Sequence, residues 1–92
     1  MKREDFLHLF KVNNFDIIDD AYISVPDRWE DNIIYFNTYI NNKILSSYRF
    51  NKITIMDEKP DQITIYHKFG GSGTLWLDQI DDIKIYNFER DD

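Results

Sequence analysis

The stretch Ile53-Thr54-Ile55-Met56-Asp57-Glu58-Lys59-Pro60-Asp61-Gln62-Ile63-Thr64-Ile65 decides the fold. On either side of its centre, isoleucine alternates with a polar residue, the period-2 pattern of a strand with one buried face. Between the two runs, Asp57 to Asp61 has the composition of a turn, with Pro60 presetting φ and acids that tolerate tight backbone. Pairing Ile55 with Ile63 and Ile53 with Ile65 puts four isoleucines on one face. Thr54 then lies opposite Thr64 on the other, a favourable cross-strand pair. An antiparallel hairpin with an apolar side is the nucleus of the sheet.

Toward the C-terminus, Gly70-Gly71-Ser72-Gly73 ends the second strand. A three-residue loop at Gly71-Ser72-Gly73 pairs Phe69 with Leu75 and His67 with Leu77, continuing the isoleucine face. A four-residue loop sets Lys68 against Leu75 instead, so the hydrophobic pattern selects the shorter one. Asp78 to Asp82 then form a tight turn with Ile80 inward, followed by a last strand with Ile83 and Ile85 on the core side.

Toward the N-terminus, Asn41-Asn42 separates two β-rich runs, and a two-residue turn with positive φ at both positions suits asparagine. That turn pairs Tyr39 with Ile44, Tyr35 with Tyr48 and Ile33 with Phe50, leaving Ile34, Phe36, Ile40 and Leu45 on the opposite face. Both faces of this hairpin are apolar, so it is either central or exposes a patch. Trp29 stands in an acidic loop that opens with Pro26-Asp27. A strand is expected from about Ala21, whereas Ile17-Ile18 followed by Asp19-Asp20 breaks the alternation and leaves residues 15–20 open. Phe6, Leu9 and Phe10 form the stripe of a short amphipathic helix with Glu4 and Asp5 in its first turn. Asn13-Asn14 is its stop. The expectation is a mainly β, α+β domain. A short N-terminal helix precedes a strongly bent antiparallel sheet of five to six strands, either a small barrel of the SH3 or OB kind or an open roll.

Size and composition narrow the function. Ninety-two residues make one domain with a small core, and with no cysteine that core has neither disulfides nor thiolate metal sites. No apolar run approaches the roughly 18 residues of a membrane span, and no signal segment is visible, so a cytoplasmic location is expected. His8 and His67 lie far apart without metal-ligand spacing, and no serine sits in a nucleophile elbow. The glycine loop lacks the Lys-Ser/Thr and helix of a phosphate-binding loop. Asp78-Gln79-Ile80-Asp81-Asp82 lacks the ligand spacing of a calcium loop. No catalytic residue, metal or cofactor is assigned.

The formal net charge is −6. Acids cluster at Asp19-Asp20, at Asp27, Glu30 and Asp31, at Asp57-Glu58 with Asp61, at Asp78, Asp81 and Asp82, and at Glu89 with Asp91-Asp92. Such loops keep a small β-protein soluble, and they also suit docking on a basic partner, including a basic nucleic-acid-binding protein. Direct nucleic-acid binding is disfavoured, because its affinity comes mainly from neutralising phosphates. If the isoleucine face points inward, Tyr66, Lys68, Trp76, Lys84 and Tyr86 point outward. Trp29 joins them as a further aromatic anchor. Aromatics mixed with lysine are the composition of an interface hot spot, unless the helix covers this face and makes it a second core.

The leading expectation is therefore a non-enzymatic protein-binding module, a small acidic inhibitor that blocks a partner. Phage anti-defence proteins and toxin-immunity proteins are similar to it in size and charge, though in no motif. The alternatives are a small barrel binding single-stranded nucleic acid through Tyr66, Trp76 and Tyr86, and a structural or homodimerising subunit.

Overall fold

The computed structural model describes residues 1–56 and 58–90. Helix α1 (Arg3–Val12) precedes seven strands: β1 (Asp16–Ile18), β2 (Tyr22–Ser24), β3 (Ile33–Ile40), β4 (Lys43–Ile55), β5 (Gln62–His67), β6 (Ser72–Trp76) and β7 (Asp82–Phe88). Every pairing is antiparallel. The strands form one strongly curled half-barrel in the order β1-β2-β4-β3-β7, with β5 joined to β4 and carrying β6.

The deciding hairpin forms as its sequence dictates. Ile55 pairs with Ile63, Ile53 with Ile65, and Thr54 with Thr64. Ile53, Ile63 and Ile65 are fully buried. Asn41 and Asn42 form the expected two-residue turn at φ 52° and 64°. An alanine at Asn42 must hold a left-handed conformation that asparagine and glycine tolerate. Asn42→Ala is therefore expected to cost about 1–2 kcal/mol in urea denaturation, and Asn42→Gly to cost nothing. Equal losses for the two variants would argue against this turn.

Four register expectations are corrected, the pairings of Tyr35 with Tyr48, Ile33 with Phe50, Phe69 with Leu75 and His67 with Leu77. Tyr39 does pair with Ile44, but a bulge then leaves Leu45 without an opposite number, so Tyr35 meets Arg49 and Phe36 meets Tyr48. The extra residue moves Tyr48 and Phe50 to the side of Ile34 and Phe36. A second irregularity between Phe50 and Lys52 lets Phe50, Ile53 and Ile55 of the bent β4 all point inward. In the glycine hairpin the turn falls earlier, at Lys68-Phe69-Gly70, closed by His67 N–H to the Gly71 carbonyl at 3.1 Å. Leu75 pairs with Ile63 rather than Phe69, and Leu77 lies in a 3-10 turn rather than opposite His67. Positive φ at Gly70 and Gly71 places the turn there. The displacement is an even number of residues, so Leu75 keeps its predicted face and is buried.

The sheet also has more strands than expected and stays open. Asp19 and Asp20, at φ 54° and 51°, turn the chain between β1 and β2, so Ile17 pairs with Ile23. Among the described residues β1, β6 and β7 each have one strand neighbour, and the barrel does not close.

Helix α1 fills the open side. Its stop is a Schellman motif: Asn14 is at φ 67°, Phe15 N–H donates to the Phe10 carbonyl, and Asn14 N–H to that of Lys11, each at 3.1 Å. The apolar contact of that motif is Phe15 against Phe10, with ring centroids 5.2 Å apart. Phe10 also meets Phe6, Phe36 and Phe50 within 5.8 Å. The Met1 amino group donates to the carbonyls of Leu77 and Ile80, tying the helix start to the turn before β7. The helix therefore packs on the inner, isoleucine-bearing face, and the alternative in which it covers the outer face is overturned. That inner face already offered Phe36, Phe50 and the isoleucines, so one aromatic core forms instead of two.

Candidate functional site

With α1 inside, no element among the described residues covers the outer face of β3, β7 and the first half of β4. Alternation along β3 turns Tyr35, Asn37 and Tyr39 outward because Ile34, Phe36 and Thr38 are buried. Across the ladder, Tyr35 lies opposite Tyr86, Asn37 opposite Lys84, Tyr39 opposite Asp82, and Ile33 opposite Phe88. From β4, Ile44 lies opposite Tyr39 and Arg49 opposite Tyr35. The rings of Tyr35 and Tyr86 stack at 4.9 Å and 18°, and Phe88 lies nearly parallel to Tyr86 at 6.2 Å. Phe69, lifted by its turn, receives the Arg49 guanidinium at 5.0 Å, and Lys84 Nζ stands 5.2 Å from the centre of the Tyr39 ring. Phe69 is 79% exposed, Ile44 63% and Phe88 51%. Ile44 stands at the Tyr39 end of the ladder and Phe88 at the Ile33 end, with Asn37 and Lys84 between them.

The hydroxyls of Tyr39 and Tyr86 on this face are linked. A hydrogen bond from Tyr86, with help from Asn37 and the Lys84 cation, holds the Tyr39 phenol below its ordinary range. The same bond keeps the proton on Tyr86, whose phenol is pushed up. Among the described residues the Nε atom of Arg49 is buried without a hydrogen-bond partner.

The residues singled out from sequence fall into separate places. Tyr86 and Lys84 lie on this face. Tyr66 lies on the β5 branch, where the Lys52 ammonium bridges it and Tyr22 at 4.7 and 5.8 Å. Trp76 ends β6 opposite Gln62 and is 46% exposed, beside the turn of Glu58, Lys59, Pro60 and Asp61. Lys68 and Trp29 line a cleft of about 440 Å³ with Asp27 and Glu30. There Lys68 Nζ reaches the Asn32 carbonyl at 3.5 Å. Trp29 packs edge-on against Phe15 at 5.2 Å and is half-buried, so it closes the end of the core. Arg28 sits over its ring at 4.6 Å.

The acidic residues divide in the same way. Asp27, Glu30 and Asp31 precede β3, whereas Asp82 pairs with Tyr39 near its far end. The separation along the strand is roughly 20 Å at about 3.4 Å per residue. Two carboxylates there also have structural work: Asp81 accepts the Asn41 N–H and Asp82 the Ile83 N–H, each at 2.8 Å. Asp78 sits in the 3-10 turn Leu77–Gln79. Asp57, Asp91 and Asp92 lie outside the described residues.

Sequence reading put Tyr35, Tyr39 and Ile44 on one face of a hairpin, but missed that Arg49, Phe69 and Phe88 flank it and that Tyr86 and Lys84 lie beside it. The alternation of β3 was visible, but the strand beside it is β7, distant in the chain, and no local pattern announces that pairing. Comparison with protein-family models, curated proteins and solved structures found no match to this chain.

Proposed function

We propose that the chain is a non-enzymatic protein-binding module, a small acidic inhibitor that occupies a partner's surface through the outer face of β3 and β7. The observation that carries this reading is that, among the described residues, this face is left without a covering element: Tyr35, Tyr86 and Phe88 stack there and Phe69 and Ile44 stand exposed, while the helix packs on the opposite side. Aromatic rings with arginine, largely pre-ordered by mutual stacking, are the side chains that dominate interface energetics. Carboxylates at both ends of β3 frame the face and steer a basic partner toward it, and burial of the aromatic centre then holds the complex. A target of the phage-defence or toxin class fits this mode of action.

A stacking platform for single-stranded nucleic acid draws less support. It needs ring faces open to bases, and Tyr86 turns its face to Tyr35. Tyr66 and Trp76 stand on the other branch of the sheet.

The test is affinity capture from host lysate, with and without nuclease, comparing the wild-type chain with Ile44→Asp/Phe69→Asp and with Trp76→Ala. The reading expects a nuclease-resistant protein partner on the wild type and on Trp76→Ala. The double variant should lose it, its purified complex being weakened by on the order of a hundredfold or more. Partners that vanish with nuclease would overturn the reading. Loss on Trp76→Ala alone would move the surface to the β5 and β6 branch.

A further inference from the structure

We infer that strand β7 is a self-pairing edge, through which two copies of the chain join their sheets about a two-fold axis at Ile85. A strand with one neighbour turns every second N–H and C=O outward, a template for another strand unless something blunts it. The other two edges are blunted. Strand β1 has three residues and runs into the left-handed Asp19-Asp20 turn, and β6 has five and contains Gly73. Strand β7 has seven residues and contains neither proline nor glycine. Its ladder with β3 runs from Phe88 to Asp82 without a register shift, unlike those of β3 with β4 and β4 with β5. Helix α1 approaches this strand from the inner side, and among the described residues the Asp82 carboxylate takes the Ile83 N–H at 2.8 Å; no strand pairs with the edge beyond it.

The occupant follows from the order of side chains. An antiparallel pairing centred on Ile85 overlaps the whole strand and sets Lys84 opposite the second copy's Tyr86, with Asp82 opposite the second copy's Phe88. Within the strand no like charges meet, and each lysine faces an aromatic ring. Moving the axis to Lys84 puts the two lysines face to face. Moving it to Tyr86 shortens the ladder at both ends. The arrangement extends the outer aromatic surface across the axis, and it stands independently of the inhibitor reading.

The experiment is sedimentation equilibrium on the full chain over a concentration series, with circular dichroism as a check on folding. The wild type is expected to pass from 11.2 kDa toward twice that mass as concentration rises. Tyr86→Lys sets lysine against lysine twice per dimer and should weaken association by about tenfold. Adding Lys84→Glu restores opposite charges at both positions and should restore the dimer, which general damage to the sheet would not allow. A wild-type chain that stays at 11.2 kDa at millimolar concentration would overturn the proposal, and so would a folded Tyr86→Lys variant that dimerises as before. Failure of the double substitution to recover association would overturn the assigned register.

Discussion

Phe10→Ala is expected to lower the unfolding free energy by about 3–5 kcal/mol, the range for deleting a buried aromatic ring. A domain of this size holds only about 5–15 kcal/mol in total, so the variant should be unfolded or close to it at physiological temperature. The reason lies in where Phe10 stands. It is fully buried and touches Phe6 on its own helix, Phe15 beyond the cap, Phe36 on β3 and Phe50 on β4. One ring therefore joins the helix, its stop and two strands, and the cavity left by alanine borders all of them. Urea denaturation followed by tryptophan fluorescence gives the number. Val12→Ala on the exposed side of the same helix serves as control and should change stability by less than about 0.5 kcal/mol. A loss under about 1 kcal/mol for Phe10→Ala would mean that the helix does not close the half-barrel.

The second large effect is expected at Ile53, where alanine should cost about 2–5 kcal/mol. Ile53 pairs with Ile23 on one side and Ile65 on the other, and all three are fully buried. It is the point at which β2, β4 and β5 share one row of the sheet. Ile18→Ala removes the same atoms from an exposed position on the edge strand β1 and should fall within about 0.5 kcal/mol of wild type. Similar losses at the two positions would contradict the three-strand row.

Both predictions concern the inner face, yet the proposed activity lies on the outer one, and the connection is the placement of α1. Its apolar stripe had two faces to choose from. Burial of Phe6 and Phe10 among Phe36 and Phe50 leaves the outer tyrosines to pack on one another, on Phe88 and against Lys84. Substitutions at Ile44 and Phe69 therefore separate binding from folding, whereas Phe10→Ala does not.

The ways in which sequence reading succeeded and failed have one cause. Local alternation located the Ile53–Ile65 hairpin with its register, the Asn41-Asn42 turn and the inward side of Ile80 and Ile83. It misplaced the glycine turn because two registers of equal parity satisfy the same hydrophobic pattern, and only the backbone of Gly70 and Gly71 separates them. It could not see the extra residue at Leu45, because a bulge answers to the curvature of the whole sheet. Of the candidate surface, Tyr86 and Lys84 were legible as outward residues of a strand. That Tyr35 and Tyr39 lie beside them was not, since the ladder that joins them spans half the chain, and Arg49 was hidden by the bulge at Leu45.

By itself, then, the sequence determined most of the strands, the direction of most core side chains, the helix with its asparagine stop, and the acidic character of the loops. Each rests on contacts or dihedral preferences within a few residues. Only the tertiary structure decided that β7 pairs with β3, that α1 lies inside the curl, and that a set of aromatics becomes one exposed face. Those choices depend on burying the most apolar area among elements far apart in the chain, a quantity that no local window contains.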